Sequence, residues 1–153
     1  GRLFDAVAAA LGIAFDRQQY EGQAAMELEA MIRTHPNCTG YSVDVSDQGV
    51  LSWRPLWSEL LSDIKNGVAH DTIAARFHIG LANTLTETAV RIASDAQTTR
   101  IVLSGGVMQN RFLLSRMVHT LRAQGFHVMA PKTVPANDGG LSLGQAAIAA
   151  FQP

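Results

Sequence analysis

Hydrophobic residues recur every three or four positions in six segments of the chain, and this spacing predicts helices. The longest pattern runs from about residue 71 to 97 and is expected to be the central packing helix. In the second segment, Glu27 and Glu29 are expected to face solvent. The other patterns cover residues 3–11, 23 to just before Pro36, 55–67, 108–123 and the stretch from Gly140 through Phe151.

Two further patterns predict strands. Residues 41–45 alternate apolar and polar side chains, and after turn-forming residues the strand pattern resumes at 50–53, which is typical of a hairpin. Short apolar runs at 101–104 and 126–129 flank one of the predicted helices. Strands that alternate with helices indicate the α/β class. Because the sequence contains no repeat and no low-complexity run, residues 1–153 are expected to form one domain or half-domain.

Composition narrows the possible partners and surroundings. The 153 residues carry 12 basic and 13 acidic side chains without a basic stripe, so neither a nucleic-acid nor a membrane partner is expected. The apolar runs are too short to span a bilayer. A single cysteine, Cys38, excludes an internal disulfide and a cysteine-based zinc site. This composition favours a cytoplasmic protein.

The segment from Ser104 to Asn110 is the first candidate site. Gly105 and Gly106 lack the Cβ atoms that would keep a ligand away from the main chain. The helix that follows is expected to offer unpaired N–H groups and the positive end of its dipole to a nucleotide. The alternative is that the two glycines only reverse the chain.

A second candidate lies at Asn137, Asp138, Gly139 and Gly140. These residues either cap the last helix or provide Asp138 as a metal ligand. The five histidines are scattered without a pair at helical spacing, and His78 is expected to be a packed or hydrogen-bonded residue of the long helix. The sequence lacks a nucleophile elbow, a P-loop and a dinucleotide-binding glycine motif.

Four segments in order resemble one known family. Residues 1–9, 20–24, 104–111 and 137–145 look like the C-terminal part of the HypF carbamoyltransferases of [NiFe]-hydrogenase maturation, and the resemblance covers essentially the whole chain. More distant relatives are the TsaD-type tRNA threonylcarbamoyltransferases, which share the actin/sugar-kinase/Hsp70 ATPase fold. The resemblance implies a fragment of a larger protein. Its fold would be the C-terminal lobe of an actin-like, RNase H-like ATPase with helical insertions.

The resemblance also implies a reaction. HypF proteins use carbamoyl phosphate and ATP to make a carbamoyl-adenylate, and deliver the carbamoyl group to the C-terminal cysteine of HypE. The implied partners are therefore a HypE-type acceptor and the remaining domains of the HypF parent.

The family motifs map onto particular residues of this chain. Asp5 matches an aspartate that contacts the nucleotide ribose, and Gly22 lies in a glycine turn that faces the nucleoside. Asp138 matches a ligand of a divalent metal, which could be zinc, iron or magnesium and would be completed by histidines upstream of this chain. No catalytic residue is assigned. The remaining expected nucleotide-binding positions are Ser104, Gly105, Gly106, Asn110 and Gly139.

Other functions are also compatible with the sequence. The chain could be half of a TsaD-type tRNA-modifying enzyme, half of a sugar or carboxylate kinase, or a non-catalytic nucleotide-binding or docking module. Because the family's metal-binding histidines are missing here, the fragment alone is expected to be inactive.

Overall fold

The computed structural model describes residues 2–32 and 38–151 of the chain. These residues contain six α-helices and four short strands. The predicted elements are present with small shifts in their ends. The second helix ends at Ala30, with Met31 as its C-cap, so the prediction that it continues through Ile32 to just before Pro36 is wrong. The helices are α1 (Arg2–Ala10), α2 (Gln23–Ala30), α3 (Arg54–Lys65), α4 (His70–Asp95), α5 (Arg111–Ala123) and α6 (Leu141–Phe151). The strands are β1 (Asp44–Val45), β2 (Leu51–Ser52), β3 (Arg100–Val102) and β4 (His127–Met129).

The strands form two separate pairs. β1 and β2 are antiparallel, which confirms the predicted hairpin with strands shorter than expected. β3 and β4 are parallel, with Ile101 opposite Val128, and α5 connects them as a crossover. Parallel neighbours need such a crossover, so β3, α5 and β4 form the βαβ unit typical of the α/β class. Ile101 and Val128 face the core, whereas Val102 and Met129 lie on the exposed face.

Helix α4 is the centre of the core, as its length and apolar pattern predicted. It contacts α2, α3, α5 and β3. Twelve of its 26 residues are buried, so the helix is covered over much of its circumference. No helix within the described ranges is both long enough and apolar enough to cross a bilayer. The largest fully buried side chains of α4 are Ile73, Phe77 and His78.

Two glycines let the backbone of residues 40–41 cross α4 at very short range. A Cβ atom added to Gly80 would lie 2.2 Å from the carbonyl oxygen of Tyr41, and one added to Gly40 would lie 2.3 Å from the nitrogen of Gly80. The N–H of Tyr41 also donates to the carbonyl of Arg76 at 3.1 Å. A glycine inside a long helix usually weakens it, so its presence here is explained by this crossing.

Arg76 attaches the same crossing segment to α3. Its guanidinium forms ion pairs with Asp63 and with Glu59, the latter at 3.3 Å, and lies 4.3 Å from the centroid of the Tyr41 ring. The Tyr41 hydroxyl donates to Asp63 at 2.7 Å. Burial and the neighbouring Asp63 carboxylate raise the pKa of Tyr41, so its hydroxyl remains protonated.

We expect Gly80→Ala to destabilise the chain by about 2 kcal/mol or more, because overpacking against a backbone atom exceeds the roughly 1 kcal/mol gained in helix propensity. Chemical denaturation measures this change. Gly144→Ala in α6 is the matched control, since a Cβ there meets nothing within 4 Å. Equal stability of Gly80→Ala and the unmodified chain would contradict the crossing.

Candidate functional site

The two glycine-containing segments lie side by side. We call residues 104–110 the glycine turn and residues 135–140 the Asn137 loop. The N–H of Gly105 donates to the carbonyl of Ala136 at 2.9 Å, and a Cβ on Gly106 would come 3.9 Å from the Cβ of Asn137. The fold therefore brings together most of the expected nucleotide-binding positions. Ser104, Gly105, Gly106, Asp138 and Gly139 are all exposed there.

The fold requires two of the glycines of this site, Gly105 and Gly140, for different reasons. Gly105 has a φ of 100°, a conformation that residues with a Cβ rarely adopt. A Cβ on Gly140 would lie 2.6 Å from the carbonyl oxygen of Pro135, so that position has no room for a side chain. Gly106 has neither constraint, because its φ is not positive and an added Cβ makes one ordinary contact. The fold alone does not explain why residue 106 is a glycine.

The start of α5 differs from the sequence-based expectation. A single turn of 3-10 helix occupies Gly106–Gln109, and α5 begins at Arg111 rather than near residue 108. The expectation that this helix start offers unpaired N–H groups is wrong for Phe112 and Leu113. The N–H of Phe112 donates to Glu29 Oε1 at 2.9 Å, and that of Leu113 donates to Asn110 Oδ1 at 2.8 Å. Protein oxygens therefore already occupy two of the N–H groups at which an anion would bind the start of this helix.

Glu29 was expected to face solvent and instead joins α2 to the start of α5. The two residues of this contact, Glu29 and Phe112, are separated by 83 positions in sequence. A carboxylate at a helix N-terminus is stabilised by the hydrogen bond and by the helix dipole. No local signal in the sequence indicates such a long-range cap, which is why sequence analysis missed it.

Asn110 is the last residue of the glycine turn and is 9% exposed. While its Oδ1 caps α5, its Nδ2 donates to His78 Nε2 at 3.0 Å. The Nδ1–H of His78 in turn donates to the carbonyl oxygen of Ala74 at 2.8 Å. We call Glu29, His78 and Asn110 the α5 clamp. A role for Asn110 in nucleotide binding stays a prediction, whereas its observed contacts join the end of the glycine turn to α4 and α5.

His78 is fully buried, which confirms that it is a packed and hydrogen-bonded histidine. The rings of Phe4, Phe77 and Phe112 approach it edge-on with centroid distances of 5.2 to 5.8 Å. Burial disfavours the imidazolium and lowers the pKa of His78 to about 4, although the bond to the Ala74 carbonyl opposes this shift. The neutral ring has its proton on Nδ1, so Nε2 is free to accept from Asn110.

The two other expected nucleotide contacts lie on α1 and at the start of α2. Asp5 is half-buried in the first turn of α1, and Gly22 precedes α2 with a φ of 79°. In the described part of the chain neither residue forms a hydrogen bond to the glycine turn. Their helices reach the α5 clamp through neighbours, α1 by Phe4 against His78 and α2 by Glu29. Contact of Asp5 and Gly22 with a nucleotide stays a prediction.

Asp138 opens a short 3-10 turn beside the glycine turn, and its carboxylate is exposed. The cap of this turn is Asn137, whose Oδ1 accepts from the N–H of Gly139 at 3.1 Å. Among residues 2–32 and 38–151, no group of three or more His, Cys, Asp or Glu side chains could hold a metal ion. The described residues therefore do not form a complete metal site around Asp138, and its role as a metal ligand stays a prediction.

Comparison with known proteins identifies the family. The model described as "Carbamoyltransferase, Kae1-like Domain, second subdomain" matches residues 1–145. The chain belongs to this carbamoyltransferase family. Over 150 residues it is 42% identical to the carbamoyltransferase HypF of Rhizobium leguminosarum bv. viciae, a match that covers 97% of this chain and 19% of that protein.

A solved structure of a HypF protein has the same fold as this chain. The crystal structure of full-length HypF in the phosphate- and nucleotide-bound form superposes with a TM-score of 0.87 at 39% identity, over 97% of this chain and 20% of that one. This confirms the α/β ATPase-like lobe. A tRNA N6-adenosine threonylcarbamoyltransferase of Gemmatimonas aurantiaca is 28% identical over 99% of this chain and 46% of that protein. The chain spans about a fifth of the length of these two HypF proteins.

The low pKa of His78 predicts a dependence of stability on pH. Between pH 6.5 and pH 4 the unfolded chain binds a proton at residue 78 that the folded chain does not. The free energy of unfolding should therefore fall as the pH is lowered through this range, by about 3 kcal/mol in total from this residue. Denaturant titrations across the range measure it. His78→Gln should lack this part of the slope, and an identical slope in both proteins would contradict the burial of a neutral imidazole.

The cap provided by Glu29 predicts a graded effect of substitution. Glu29→Ala leaves the Phe112 N–H without its acceptor and should cost about 1 kcal/mol of stability. Glu29→Gln keeps a carbonyl oxygen at the same place and should retain most of that contribution. Chemical denaturation compares the two variants. If both lose the same amount, the hydrogen bond to Phe112 is not the source of the effect.

Proposed function

We propose that this chain is the nucleotide-holding subdomain of a HypF-type carbamoyltransferase. The full protein would use carbamoyl phosphate and ATP, through a carbamoyl-adenylate, to carbamoylate the C-terminal cysteine of HypE during [NiFe]-hydrogenase maturation. The observation that carries the proposal is the exposed glycine turn, joined to the Asn137 loop by the bond from Gly105 to Ala136. Support comes from the match of 97% of the chain to a HypF structure described as phosphate- and nucleotide-bound.

Gly106 is the strongest single argument for a ligand at this turn. Its backbone conformation and surroundings would accept a side chain, yet the residue has none. A missing Cβ at an exposed position lets a flat group approach the main chain closely. An adenine or ribose on the surface formed by Ser104, Gly106 and Gly139 would make use of this access.

The proposed transfer is a nucleophilic substitution at the carbamoyl carbon. The sulfur of the HypE cysteine thiolate bonds to that carbon while the C–O bond to the adenylate phosphate breaks. AMP leaves with the electron pair, and the proton of the thiol has already passed to solvent. Residues of this chain would hold the nucleotide and fix the direction from which sulfur approaches, which is a positioning contribution to the rate.

Asp138 is proposed as one ligand of the divalent metal, with histidines from the preceding part of the parent as the others. A bound cation of this kind polarises a carbonyl and neutralises a leaving phosphate. Because a lone carboxylate is not a complete site, we assign no step of the reaction to residues of this chain acting through metal.

The remaining domains of the parent are the proposed partner of the exposed apolar surface. Every residue of α6 is exposed, including Leu143, Ile148 and Phe151, and so are Val102 and Met129 on the open face of the β3–β4 pair. An apolar surface of this extent usually marks an interface. Since the chain matches about a fifth of full-length HypF, the other domains are the proposed cover.

A tRNA-modifying function is the second candidate, because a threonylcarbamoyltransferase matches 99% of the chain. Its identity of 28% is well below the 42% found for HypF. The chain has a net charge of −1, whereas a tRNA-binding protein is expected to carry an excess of positive charge.

The proposed function predicts that Gly106→Val in the full-length protein weakens ATP binding by about tenfold or more, since a branched side chain would fill the surface offered to the nucleoside. Calorimetry measures the affinity, and mass spectrometry of HypE measures carbamoylation, which should fall in parallel. Ser115→Val, at an exposed position of α5, is the matched control and should change neither. Unchanged ATP affinity in Gly106→Val would refute the nucleotide site, and labelling of tRNA in place of HypE would favour the second candidate.

A further inference from the structure

The amide of Asn110 is held at both ends. Its oxygen accepts from the N–H of Leu113, and its nitrogen donates to His78 Nε2. Rotation of the amide by half a turn would place its NH2 group against the Leu113 N–H, donor facing donor, and its oxygen against the unprotonated Nε2 of His78, acceptor facing acceptor. The accepting nitrogen of His78 therefore selects one orientation of the Asn110 side chain.

The ring of His78 is itself immobilised. The bond from its Nδ1–H to the Ala74 carbonyl fixes the tautomer, and edge contacts with Phe4, Phe77 and Phe112 fix its plane. A fully buried side chain with both nitrogens bonded has a single arrangement available. Asn110 thus bonds to a rigid acceptor.

The backbone of Asn110 transmits this position to the glycine turn. Its N–H donates to the carbonyl of Val107 at 3.1 Å, and the N–H of Met108 donates to the carbonyl of Gly105 at 3.0 Å. The other end of the turn is tied to Ala136. Gly105 and Gly106 therefore lie between two hydrogen-bonded attachments of the main chain.

We propose that His78 is a positioning residue, which holds Asn110 and through it keeps the Gly105–Gly106 backbone in the shape that receives the nucleotide. The inference rests on the proposed function for the identity of the ligand. It assigns His78 no contact with that ligand, because the ring is completely buried. The alternative is that His78 only fills space among aromatic rings.

Two substitutions separate these roles. His78→Gln places an amide oxygen where Nε2 stood, so it keeps an acceptor for Asn110 while losing the ring contacts. His78→Leu keeps apolar bulk and burial but removes the acceptor. If His78 only fills space, His78→Leu should keep the hydrogen exchange and ATP affinity of the unmodified protein better than His78→Gln does. A positioning role predicts the reverse order at the glycine turn, whatever the order of overall stability.

The first measurement reads the turn without a nucleotide. In the full-length protein, amide hydrogen exchange at Leu113 should accelerate about tenfold in His78→Leu, because Asn110 no longer has a fixed orientation. Exchange at residues 105–108 should accelerate with it. His78→Gln should stay close to the unmodified protein at these amides. Unchanged protection in His78→Leu would overturn the proposal.

The second measurement is ATP affinity by calorimetry under conditions where all variants are folded. His78→Leu should bind about tenfold more weakly, the equivalent of one lost hydrogen bond, and His78→Gln should recover most of the loss. Leu56→Ala, a buried substitution in α3, is the control for general destabilisation and should bind normally. Equal weakening in all three variants would overturn the positioning role.

The two measurements distinguish the failure of this inference from that of the proposed function. If the unmodified protein does not bind ATP, the proposed function fails, and hydrogen exchange still decides whether His78 holds the turn. If ATP binds and His78→Leu leaves both exchange and affinity unchanged, the positioning role alone is refuted.

Discussion

A neutral imidazole sealed among aromatic rings is the interaction on which three helices depend. His78 on α4 contacts Phe4 of α1 and Phe112 of α5 and bonds to Asn110 at the start of α5. A buried polar ring is costly unless its nitrogens are satisfied. Here Nδ1–H donates to the carbonyl of Ala74, and Nε2 accepts from the amide of Asn110. The contacts that offset the cost of burying this ring therefore also define where α1 and α5 pack on α4.

Side chains of the α5 clamp accept hydrogen bonds from the start of α5, where an anionic ligand would otherwise bind. Glu29 and Asn110 satisfy two of its first N–H groups, and Glu29 places a carboxylate beside them. A phosphate at the same point would compete for those donors and be repelled by that charge. Under the proposed function, the nucleoside rather than the phosphates lies nearest this part of the turn. The charge on the phosphates is then left to groups outside the glycine turn.

Much of the fold follows from patterns that are local in sequence. The three-to-four spacing of apolar residues predicted α4, and the turn residues before Val50 predicted the hairpin. The ordered motifs at residues 104–111 and 137–145 led to the correct family. What could not be predicted arises from contacts between distant segments. Glu29 looks like an ordinary exposed residue of α2 until the fold places Phe112 beside it, and Gly80 looks like a weak point in α4 until Tyr41 crosses it.

The glycines show why the site could be located but not interpreted from sequence. Gly80 and Gly140 lack side chains because backbone atoms occupy the space, and Gly105 because of its positive φ. These three are explained by folding alone. Within the glycine turn, Gly106 is the glycine for which folding offers no reason, although in the sequence it is indistinguishable from Gly105. Gly106 is exposed beside the Asn137 loop, and the turn that contains it ends at Asn110, a residue of the α5 clamp. An exposed stretch of main chain that is hydrogen-bonded on both sides is well suited to close recognition of a flat ligand, because less ordering is needed on binding.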